Sequence, residues 1–357
     1  MKQFHSLKVI AKTSETRDSV RIAFDVPEDL RDEITFVPGQ HLPVQIERDG
    51  KHVRRTYSIC SPEGCWPLEI GVRVQPGGQF SEFAANELNV GDTLDVMPPT
   101  GRFHLDPDRE DGKTHIAFAA GSGITPILSI VASILTSEPN SRVALFYGNR
   151  KQNTTMFIED LFALKNRFPD RLQVHFVFSQ EEQEFKISGG RIDGSKVAEL
   201  YKRFCSGMSV DEAWVCGPDS MIGDVTDALV GLGMQADTVH AERFGAPRKG
   251  GKKPAESAMP ASEEAVKVTV IMDGHMKSFD MPRTGSNIVD AAAEQGIELP
   301  YSCKGGVCAT CRTHVRSGEV TMAVNYGLEP WEVEKGFVLA CQSTPDSDEV
   351  LLDYDKS

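Results

Sequence analysis

Three things are scarce or missing in this 357-residue sequence, and each excludes a class of protein. No apolar run approaches the ~18 residues that a membrane-spanning helix needs. The first residues, MKQFHSLKVIAKTSETRD, lack the apolar core of a secretory signal. Basic residues are few, since 38 Lys and Arg stand against 52 Asp and Glu, and the net charge of −14 argues against a nucleic-acid partner. We therefore expect a cytoplasmic protein of two or three domains that binds neither membrane nor nucleic acid.

Four of the eight cysteines stand in a pattern that predicts an iron–sulfur site. Cys303, Cys308 and Cys311 have C-x4-C-x2-C spacing, and Cys341 follows 30 positions after Cys311. This is the spacing of plant-type [2Fe–2S] ligands, in which four thiolates hold two irons. Zinc usually takes two C-x2-C pairs and disulfides need an oxidising compartment, so both alternatives fit less well. The remaining cysteines are scattered, as is typical of free thiols: Cys60, Cys65, Cys205 and Cys216.

Hydrophobic patterning divides the chain into three folded parts. Residues 1–107 contain short alternating or apolar runs separated by Pro, Gly and Asp, which predicts an antiparallel β-barrel with one helix near residue 80. Residues 108–245 alternate apolar strand segments with helical ones, which predicts a parallel α/β sheet. Residues 267–357 combine a hairpin pattern turning at Asp273–Gly274, a helical run and the cysteine loop, which indicates a small α+β domain.

Residues 246–266 are rich in Pro, Gly, Lys, Ala and Glu and show no hydrophobic period, which predicts a flexible linker. A surface loop within one domain is the weaker alternative, because a strand pattern follows at once. A random coil of ~20 residues reaches about 25 Å, so we expect the last domain to move between electron donor and acceptor. That domain has eight Lys and Arg against 14 Asp and Glu, which suits a basic docking partner or simply a solvated surface.

Four short motifs contain residue types that bind phosphates and flat rings. Arg55-Thr56-Tyr57-Ser58 closes a predicted strand and offers a cation, an aromatic ring and hydroxyl groups. Gly77-Gly78-Gln79-Phe80-Ser81 opens a helix, where N–H groups bind anions, although a plain turn with a capping serine explains it equally well. Gly121-Ser122-Gly123-Ile124-Thr125-Pro126 joins a strand to a helix, as a dinucleotide phosphate site requires, with Pro126 in place of the usual third glycine. Cys216-Gly217-Pro218 follows the last predicted strand, at the sheet edge where ligands bind.

In this order, RTYS, GSGITP and CGPDSM resemble the ferredoxin–NADP reductase family of flavoproteins, followed by a plant-type ferredoxin domain. The strings FHSLKVIAKTSETRDSV, PGQHL, YGNR, GRIDG, ERF, CKGGVCATC and NYGLEP are similar to the reductase components of phenylacetyl-CoA epoxidases within that family. The resemblance implies a β-barrel FAD domain, an α/β NAD(P)H domain and a β-grasp [2Fe–2S] domain. It implies that electrons pass from NAD(P)H through FAD and the cluster to an oxygenase, such as the di-iron phenylacetyl-CoA epoxidase.

The resemblance also implies roles for residues at matching positions. The implied flavin ligands, with Ser58 near the reactive ring nitrogen, are Arg55, Thr56, Tyr57, Ser58, Gly78, Gln79 and Ser81. The implied nucleotide ligands are Gly121, Gly123, Thr125, Cys216, Gly217 and Pro218. Glu242 and Phe244 match the segment that covers the flavin ring, with a core position as the alternative for Phe244. The implied catalytic residues are Ser58, Cys216 and Phe244.

The choice of nucleotide can be partly inferred from the sequence. A 2′-phosphate needs Arg, Lys or Ser near the end of the second α/β strand, and Arg150, Ser179 and Arg191 are candidates. We therefore favour NADPH, although Glu181 and Glu182 leave an acidic ribose ligand and NADH possible, and FMN remains an alternative to FAD. Other hypotheses are a reductase for a ring-hydroxylating dioxygenase or hydrocarbon monooxygenase, and a flavin or iron–sulfur sensor without turnover. The two nucleotide motifs argue against the sensor.

Overall fold

The computed structural model describes residues 4–106, 109–244 and 265–356. The chain separates into two compact units, the first ending at Phe244 and the second comprising the residues after it. Most of the predicted linker, 246–266, lies outside the described residues. Its last two residues, Ala265 and Val266, instead begin a strand, because the side chain of Val266 is fully buried in the core of the second unit.

The first part of the chain forms a six-stranded antiparallel sheet that curls around its own core, as the sequence predicts. Its elements are β1 His5–Thr16, β2 Ser19–Asp25, β3 His41–Arg48, β4 Lys51–Ser58, β5 Leu68–Arg73, α1 Gln79–Asn86 and β6 Thr93–Val96. The strand order is β4-β3-β6-β1-β2-β5. Just after β4, Ile59 forms a bridge with Ile70 of β5, which brings the two edge strands together and completes the barrel.

A five-stranded parallel sheet with order β11-β10-β7-β8-β9 follows, which confirms the predicted α/β domain. Its elements are β7 Thr114–Ala120, α2 Ile124–Ser137, β8 Arg142–Asn149, α3 Ile158–Arg167, β9 Leu172–Phe178, α4 Gly194–Phe204, β10 Glu212–Gly217, α5 Asp219–Gly231 and β11 Val239–Arg243. Sequence patterning missed α4, although its buried residues, Val197 and Leu200, lie three positions apart as on one face of a helix. It also missed β11, a short strand at the edge of the sheet.

Helix α2 joins the barrel and the parallel sheet into one unit. Nearly all of its residues are buried, because one side covers the sheet and the other meets the barrel. On the barrel side, Ser129 Oγ donates a hydrogen bond to Ser61 O at 2.6 Å. The carboxyl ends of β7 and β10 lie next to each other in the sheet, beside the start of α2. The two glycine motifs are therefore neighbours in space.

The second unit contains a mixed five-stranded sheet of order β13-β12-β18-β14-β16 and a two-stranded sheet β15-β17. Its elements are β12 Ala265–Met272, β13 His275–Pro282, α6 Ile288–Glu294, β14 Arg312–Ser317, β15 Val320–Met322, α7 Pro330–Glu334, β16 Phe337–Leu339, β17 Ser343–Pro345 and β18 Glu349–Asp353. The predicted hairpin is confirmed: it turns at Asp273 and Gly274, whose φ values are 51° and 73°. Asn287 caps α6 by accepting the N–H of Asp290 at 3.0 Å. Within the described ranges, no helix is long and apolar enough to span a membrane.

Candidate functional site

The end of β4 presents the RTYS motif, whose side chains become more buried from Arg55 to Ser58. Arg55 is exposed, whereas Ser58 is buried at 3 % exposure. The ring of Tyr57 packs on Phe80 of α1, with 5.1 Å between centroids, and burial raises the pKa of the Tyr57 phenol. Arg55 and Tyr57 share one side of the strand, and this pair suits a phosphate attached to a flat ring system. Thr56 is half-buried on the other side.

Helix α1 begins after a tight turn, and the N–H groups of its first residues have no acceptor within the helix. Gly77 has φ 75°, which favours glycine, and a Cβ on Gly78 would lie 2.4 Å from Ser81 Oγ. The Ser81 hydroxyl, which the resemblance assigns to the flavin pyrophosphate, is buried and instead accepts the N–H of Gln75 at 3.0 Å. A phosphate here would therefore meet the N–H groups of the first helical turn, beginning with that of the exposed Gln79.

A cluster of buried polar side chains from three strands lies around Ser58. Ser58 faces His41 across the β3–β4 pair, and Glu242 of β11 approaches both. Glu242 Oε1 lies 3.6 Å from His41 Nδ1. Ser58 Oγ, His41 Nε2 and Glu242 Oε2 are all buried and have no hydrogen-bond partner among the described residues. Buried polar atoms without partners are costly, so these three atoms fit the polar edge of a bound cofactor.

Glu242 and Cys216 are neighbours in adjacent parallel strands; Cys216 is buried, and the side chain of Glu242 is 10 % exposed. Burial raises the pKa of Glu242, and His41 and Ser58 partly oppose that effect. Burial, and then the charge of Glu242, raise the pKa of the Cys216 thiol. Cys216 therefore remains a neutral thiol at neutral pH.

A cleft of about 980 Å³ opens at the carboxyl edge of the parallel sheet. Four residues that the sequence assigns to nucleotide binding line it: Gly121, Gly123, Gly217 and Pro218. At Gly123, the residue before α2, a Cβ would lie only 2.1 Å from Cys216 O, so only glycine at this position lets the start of α2 pack on β10. At Gly217, a Cβ would lie 2.7 Å from Met221 Cε. At Gly123 and Gly217 the floor of the cleft is therefore formed by backbone atoms, which a phosphate chain can approach closely.

Two further residues assigned to nucleotide binding do not line this cleft. Thr125 is 2 % exposed, and its hydroxyl donates to Ser122 O at 2.9 Å, so it closes the turn. The Cys216 side chain lies beneath the floor, beside Glu242. Both side chains are turned inward because α2 and β10 pack tightly at this point.

The three candidates for binding a 2′-phosphate all line the cleft: Arg150, Ser179 and Arg191. They come from the loops after β8 and β9 and from the segment before α4, which the parallel sheet brings to one edge. Glu181, the candidate acidic ribose ligand, accepts the N–H of Gln152 at 2.7 Å and does not line the cleft. The side of the cleft formed by the β8 and β9 loops is therefore cationic.

Arg73 is a cleft residue that sequence reasoning missed. It ends β5 in the barrel and forms an ion pair with Asp18 at 2.9 Å. A Cβ on Gly121 would lie 3.1 Å from Arg73 Nη1, so the guanidinium stands directly over the glycine turn. The sequence carried a signal, since Arg73 closes an apolar run just before the Gly77-Gly78 turn, but only the fold places it opposite the nucleotide motif.

Phe244 lies in the cleft and is 46 % exposed, so it is not a core residue. It directly follows β11, whose Arg243 forms an ion pair with Asp219 at 2.6 Å. An exposed ring at this edge is suited to cover a flat cofactor and to move away from it.

The four predicted ligand cysteines come together in the second unit as two pairs. In each pair a hydrogen bond joins the two thiols: Cys303 with Cys308, and Cys311 with Cys341. No group of three or more Cys, His, Asp or Glu side chains surrounds a single ion position in the described part of the chain. Two pairs rather than one triad fit a binuclear cluster, in which each iron takes two thiolates.

The loop between the first two cysteines directs N–H groups at sulfur. Gly305 N lies 3.3 Å from Cys303 Sγ, and Cys308 N lies 3.4 Å from it. The hydrogen bond from Cys308, with these N–H groups, lowers the pKa of Cys303 to about 5. Gly306 adopts φ 74°, and a Cβ there would lie 3.0 Å from Val324 O. A loop that stabilises the Cys303 thiolate and leaves no room for a side chain at Gly306 fits a cluster carrying inorganic sulfide.

Three family models match the chain in the order of these sites. Residues 6–105 match the oxidoreductase FAD-binding domain, residues 118–227 the oxidoreductase NAD-binding domain, and residues 270–346 the 2Fe-2S iron–sulfur cluster binding domain. The solved structure of phthalate dioxygenase reductase superposes with TM-score 0.62 and 24 % identity, covering 98 % of both chains, so the fold is shared.

Two sequence relatives extend over nearly the whole chain. One of the subunits of 1,2-phenylacetyl-CoA epoxidase from Escherichia coli strain K12 is 42 % identical, covering 99 % of both chains. The ferredoxin reductase component of 3-ketosteroid-9-alpha-monooxygenase from Rhodococcus rhodochrous is 34 % identical, covering 98 % of this chain and 96 % of the relative.

Fold and site together define a flavin-dependent oxidoreductase whose domains bind FAD, a nicotinamide nucleotide and a [2Fe–2S] cluster. Its relatives are the reductase components of oxygenases. The chain belongs to this family, that of the ferredoxin–NADP reductase type with a C-terminal plant-type ferredoxin domain. The match to the FAD-binding domain supports FAD as the flavin, and the family membership supports an oxidoreductase rather than a sensor.

Proposed function

We propose that this protein oxidises NADPH and delivers the electrons, one at a time, to the oxygenase component of a phenylacetyl-CoA epoxidase. The observation that carries the choice of partner is the 42 % identity to the relative from that epoxidase over 99 % of both chains, against 34 % for the ketosteroid monooxygenase reductase. The match includes the ferredoxin domain, which must contact the acceptor.

The preference for NADPH rests on the charge of the cleft. Arg150, Ser179 and Arg191 line one side of the cleft, and bidentate arginine contacts to phosphate are strong, which supports binding of a 2′-phosphate there. Glu181 is held by Gln152 N, away from the cleft. Two of the aspartates in the lining are also engaged, because Asp18 pairs with Arg73 and Asp193 caps α4.

Each part of the chain has a distinct task in this reaction. Arg55 and the first turn of α1 hold the flavin pyrophosphate, Tyr57 packs on the ring system, and Ser58 stands at its polar edge. Arg73 and the glycine turn bind the nucleotide phosphates, and Phe244 yields its place to nicotinamide. When bound, FAD accepts a hydride and gives up single electrons, which the cluster held by the four cysteines carries onward.

The test is reconstitution with purified oxygenase components. We would combine the protein with the oxygenase of phenylacetyl-CoA epoxidase, supply NADPH or NADH, and measure phenylacetyl-CoA consumed per nucleotide oxidised. The oxygenase of 3-ketosteroid-9-alpha-monooxygenase with its own steroid substrate is the matched control. We expect coupled turnover with the epoxidase only, and at least tenfold higher kcat/KM for NADPH.

Equal turnover with both oxygenases would contradict the proposed partner but not the reductase activity. Uncoupled NADPH oxidation with the epoxidase, without loss of phenylacetyl-CoA, would also contradict it. A higher kcat/KM for NADH would overturn the NADPH assignment alone.

A further inference from the structure

Several buried polar atoms of the second unit lack a hydrogen-bond partner. Among its described residues, the side chains that carry such an atom are Ser302, Thr313, His314 and Tyr354. A buried hydroxyl or ring nitrogen without a partner is costly, so each of these atoms calls for a group that completes its hydrogen bonding. The sulfur atoms of an iron–sulfur cluster accept hydrogen bonds. The position of each side chain relative to the ligand cysteines therefore decides which of them can serve the cluster.

Tyr354 lies at the end of the sheet where the cluster ligands begin. It directly follows β18, which pairs antiparallel with β14, and Val315 stands opposite Leu352. Continuing this register by two residues places Thr313 opposite Tyr354, and cross-strand partners project to the same face of a sheet. Strand β14 begins directly after Cys311. Because side chains alternate along a strand, Tyr354 projects to the same core face as Leu352, toward the end that carries this ligand.

The burial of Tyr354 and its electrostatics agree with this position. Its ring packs against the core that contains Cys311 and Cys341, and its hydroxyl oxygen is buried. Burial raises the pKa of the Tyr354 phenol, and the charges of Cys311 and Cys341 raise it further. The phenol therefore lies within electrostatic range of both thiols and remains a neutral O–H donor at neutral pH.

The other three side chains with an unpartnered atom are less well placed. The Thr313 hydroxyl stands on Cβ, and Cys311 is two residues away, about 6.6 Å along an extended strand. His314 projects to the opposite face of β14. Ser302 adjoins Cys303, whose sulfur already receives two backbone N–H groups. Only the long side chain of Tyr354 combines reach, burial and proximity to the second cysteine pair.

We propose that the Tyr354 hydroxyl donates a hydrogen bond to a sulfur atom at the iron held by Cys311 and Cys341, and thereby raises the reduction potential of the cluster. Reduction adds one electron, and hence negative charge, to the iron and sulfur atoms. An O–H donor therefore stabilises the reduced form more than the oxidised form. The phenol keeps its proton in both states, so one electron enters and no proton moves.

This role for Tyr354 rests on the proposed function only through the four cysteine ligands, and the test avoids its other parts. The holoenzyme is titrated anaerobically with dithionite and redox mediators, and the reduced-cluster EPR signal is followed. At a given potential, we expect the ratio of reduced to oxidised cluster to be about tenfold lower in Tyr354→Phe than in wild type. For a one-electron couple this corresponds to a midpoint potential about 59 mV lower.

Two control variants remove other hydroxyl groups near the cluster. Tyr326→Phe makes the same replacement at a residue that is 38 % exposed and whose N–H bonds Gly306 O at 2.9 Å. Thr313→Val removes the neighbouring buried hydroxyl and keeps the shape of the side chain. We expect both controls to keep the wild-type potential. Iron and flavin content are measured for every variant, and a wild-type protein without a [2Fe–2S] signal would contradict the ligand assignment itself.

Resonance Raman spectra of the oxidised holoenzyme report the hydrogen bond without any electron transfer. We expect Tyr354→Phe to displace an iron–sulfur stretching band and to reduce the shift of that band between H₂O and D₂O. Thr313→Val should change neither. Four results would each overturn this role for Tyr354: an unchanged or higher potential in Tyr354→Phe, unchanged Raman bands, loss of iron from that variant, or a lower potential in Thr313→Val.

Discussion

At the residue scale, the cluster ligands differ from the other cysteines in the groups that surround them. Cys303 accepts two backbone N–H groups, whereas Cys60 and Cys205 lie in apolar cores where burial raises the pKa of each thiol. Cys65 is exposed. Thiolates bind iron, so Cys303 differs from these three cysteines in having N–H donors that stabilise its thiolate.

Replacing a loop cysteine should therefore remove the cluster and leave the flavin. We expect Cys303→Ser to lose most of its iron and its reduced-cluster EPR signal while FAD content stays near one per chain. NADPH-dependent reduction of ferricyanide should persist, and reduction of the oxygenase should fall by more than 100-fold. Cys65→Ser is the control and should retain iron. An intact EPR signal in Cys303→Ser would refute the ligand assignment.

A second prediction at this scale concerns the cationic side of the cleft. Arg150→Ala removes a charge-assisted contact worth about 1.5–3 kcal/mol, so kcat/KM for NADPH should fall roughly 10- to 100-fold. The value for NADH, which has no 2′-phosphate, should change much less. Arg203→Ala, on the exposed side of α4, is the matched control and should change neither value. A parallel loss with both nucleotides would argue against a 2′-phosphate contact.

At the scale of secondary-structure elements, the turn between β7 and α2 controls how closely the helix approaches β10. Gly123 has no room for a side chain, since a Cβ would lie 2.1 Å from the backbone oxygen of Cys216. Backbone cannot move as freely as a side-chain end, so the helix start itself must shift. Because this turn is also the floor of the cleft, packing and nucleotide binding depend on the same glycine.

Gly123→Ala should accordingly reduce both stability and nucleotide affinity. We expect the free energy of unfolding to fall by about 1–3 kcal/mol, as for an overpacked core, and the Kd for NADP⁺ to rise at least tenfold. Gly223→Ala is the control: it lies within α5 with open space around a Cβ, so it should stabilise by about 0.5–1 kcal/mol. Urea unfolding and calorimetry measure both variants. A stable, tightly binding Gly123→Ala would contradict the packing argument.

At the scale of the whole molecule, electron flow requires the ferredoxin domain to meet both the flavin and the acceptor. The composition of residues 246–266 predicts a linker long enough for such movement. The acidic excess of the last domain, eight basic against 14 acidic residues, adds electrostatic guidance toward a basic partner surface.

Shortening the linker should slow the reduction of the oxygenase without slowing the reduction of the flavin. We expect deletion of residues 248–262 to slow oxygenase reduction at least tenfold, while flavin reduction by NADPH stays within twofold of wild type, because hydride transfer needs only the first unit. Replacing the same residues by a Gly/Ser segment of equal length should restore the rate. Equal effects of the deletion on both steps would exclude a shuttling role.

The sequence alone was enough to predict those features whose residues lie close together in the chain. The cysteine loop, the RTYS strand, the Gly77-Gly78 turn and the hairpin at Asp273–Gly274 each lie within about ten residues, and short-range geometry dictates their form. The alternation of strands and helices predicted both β-rich and parallel domains. Strand β11 was not predicted because none of its five residues is buried, which leaves no apolar pattern to detect.

Tertiary structure decided which distant residues meet. Arg73 stands over Gly121, and Glu242 lies beside His41, because the barrel and the parallel sheet pack through α2. The same packing turns the side chains of Thr125 and Cys216 away from the cleft, although glycines of the two motifs that contain them line it. The sequence determines which side chains and backbone groups a segment contains and which local turn, strand or helix it forms, because these depend on residues that are close together in the chain. Their orientation and their partners depend on contacts between residues far apart in the sequence, which only the folded chain brings together.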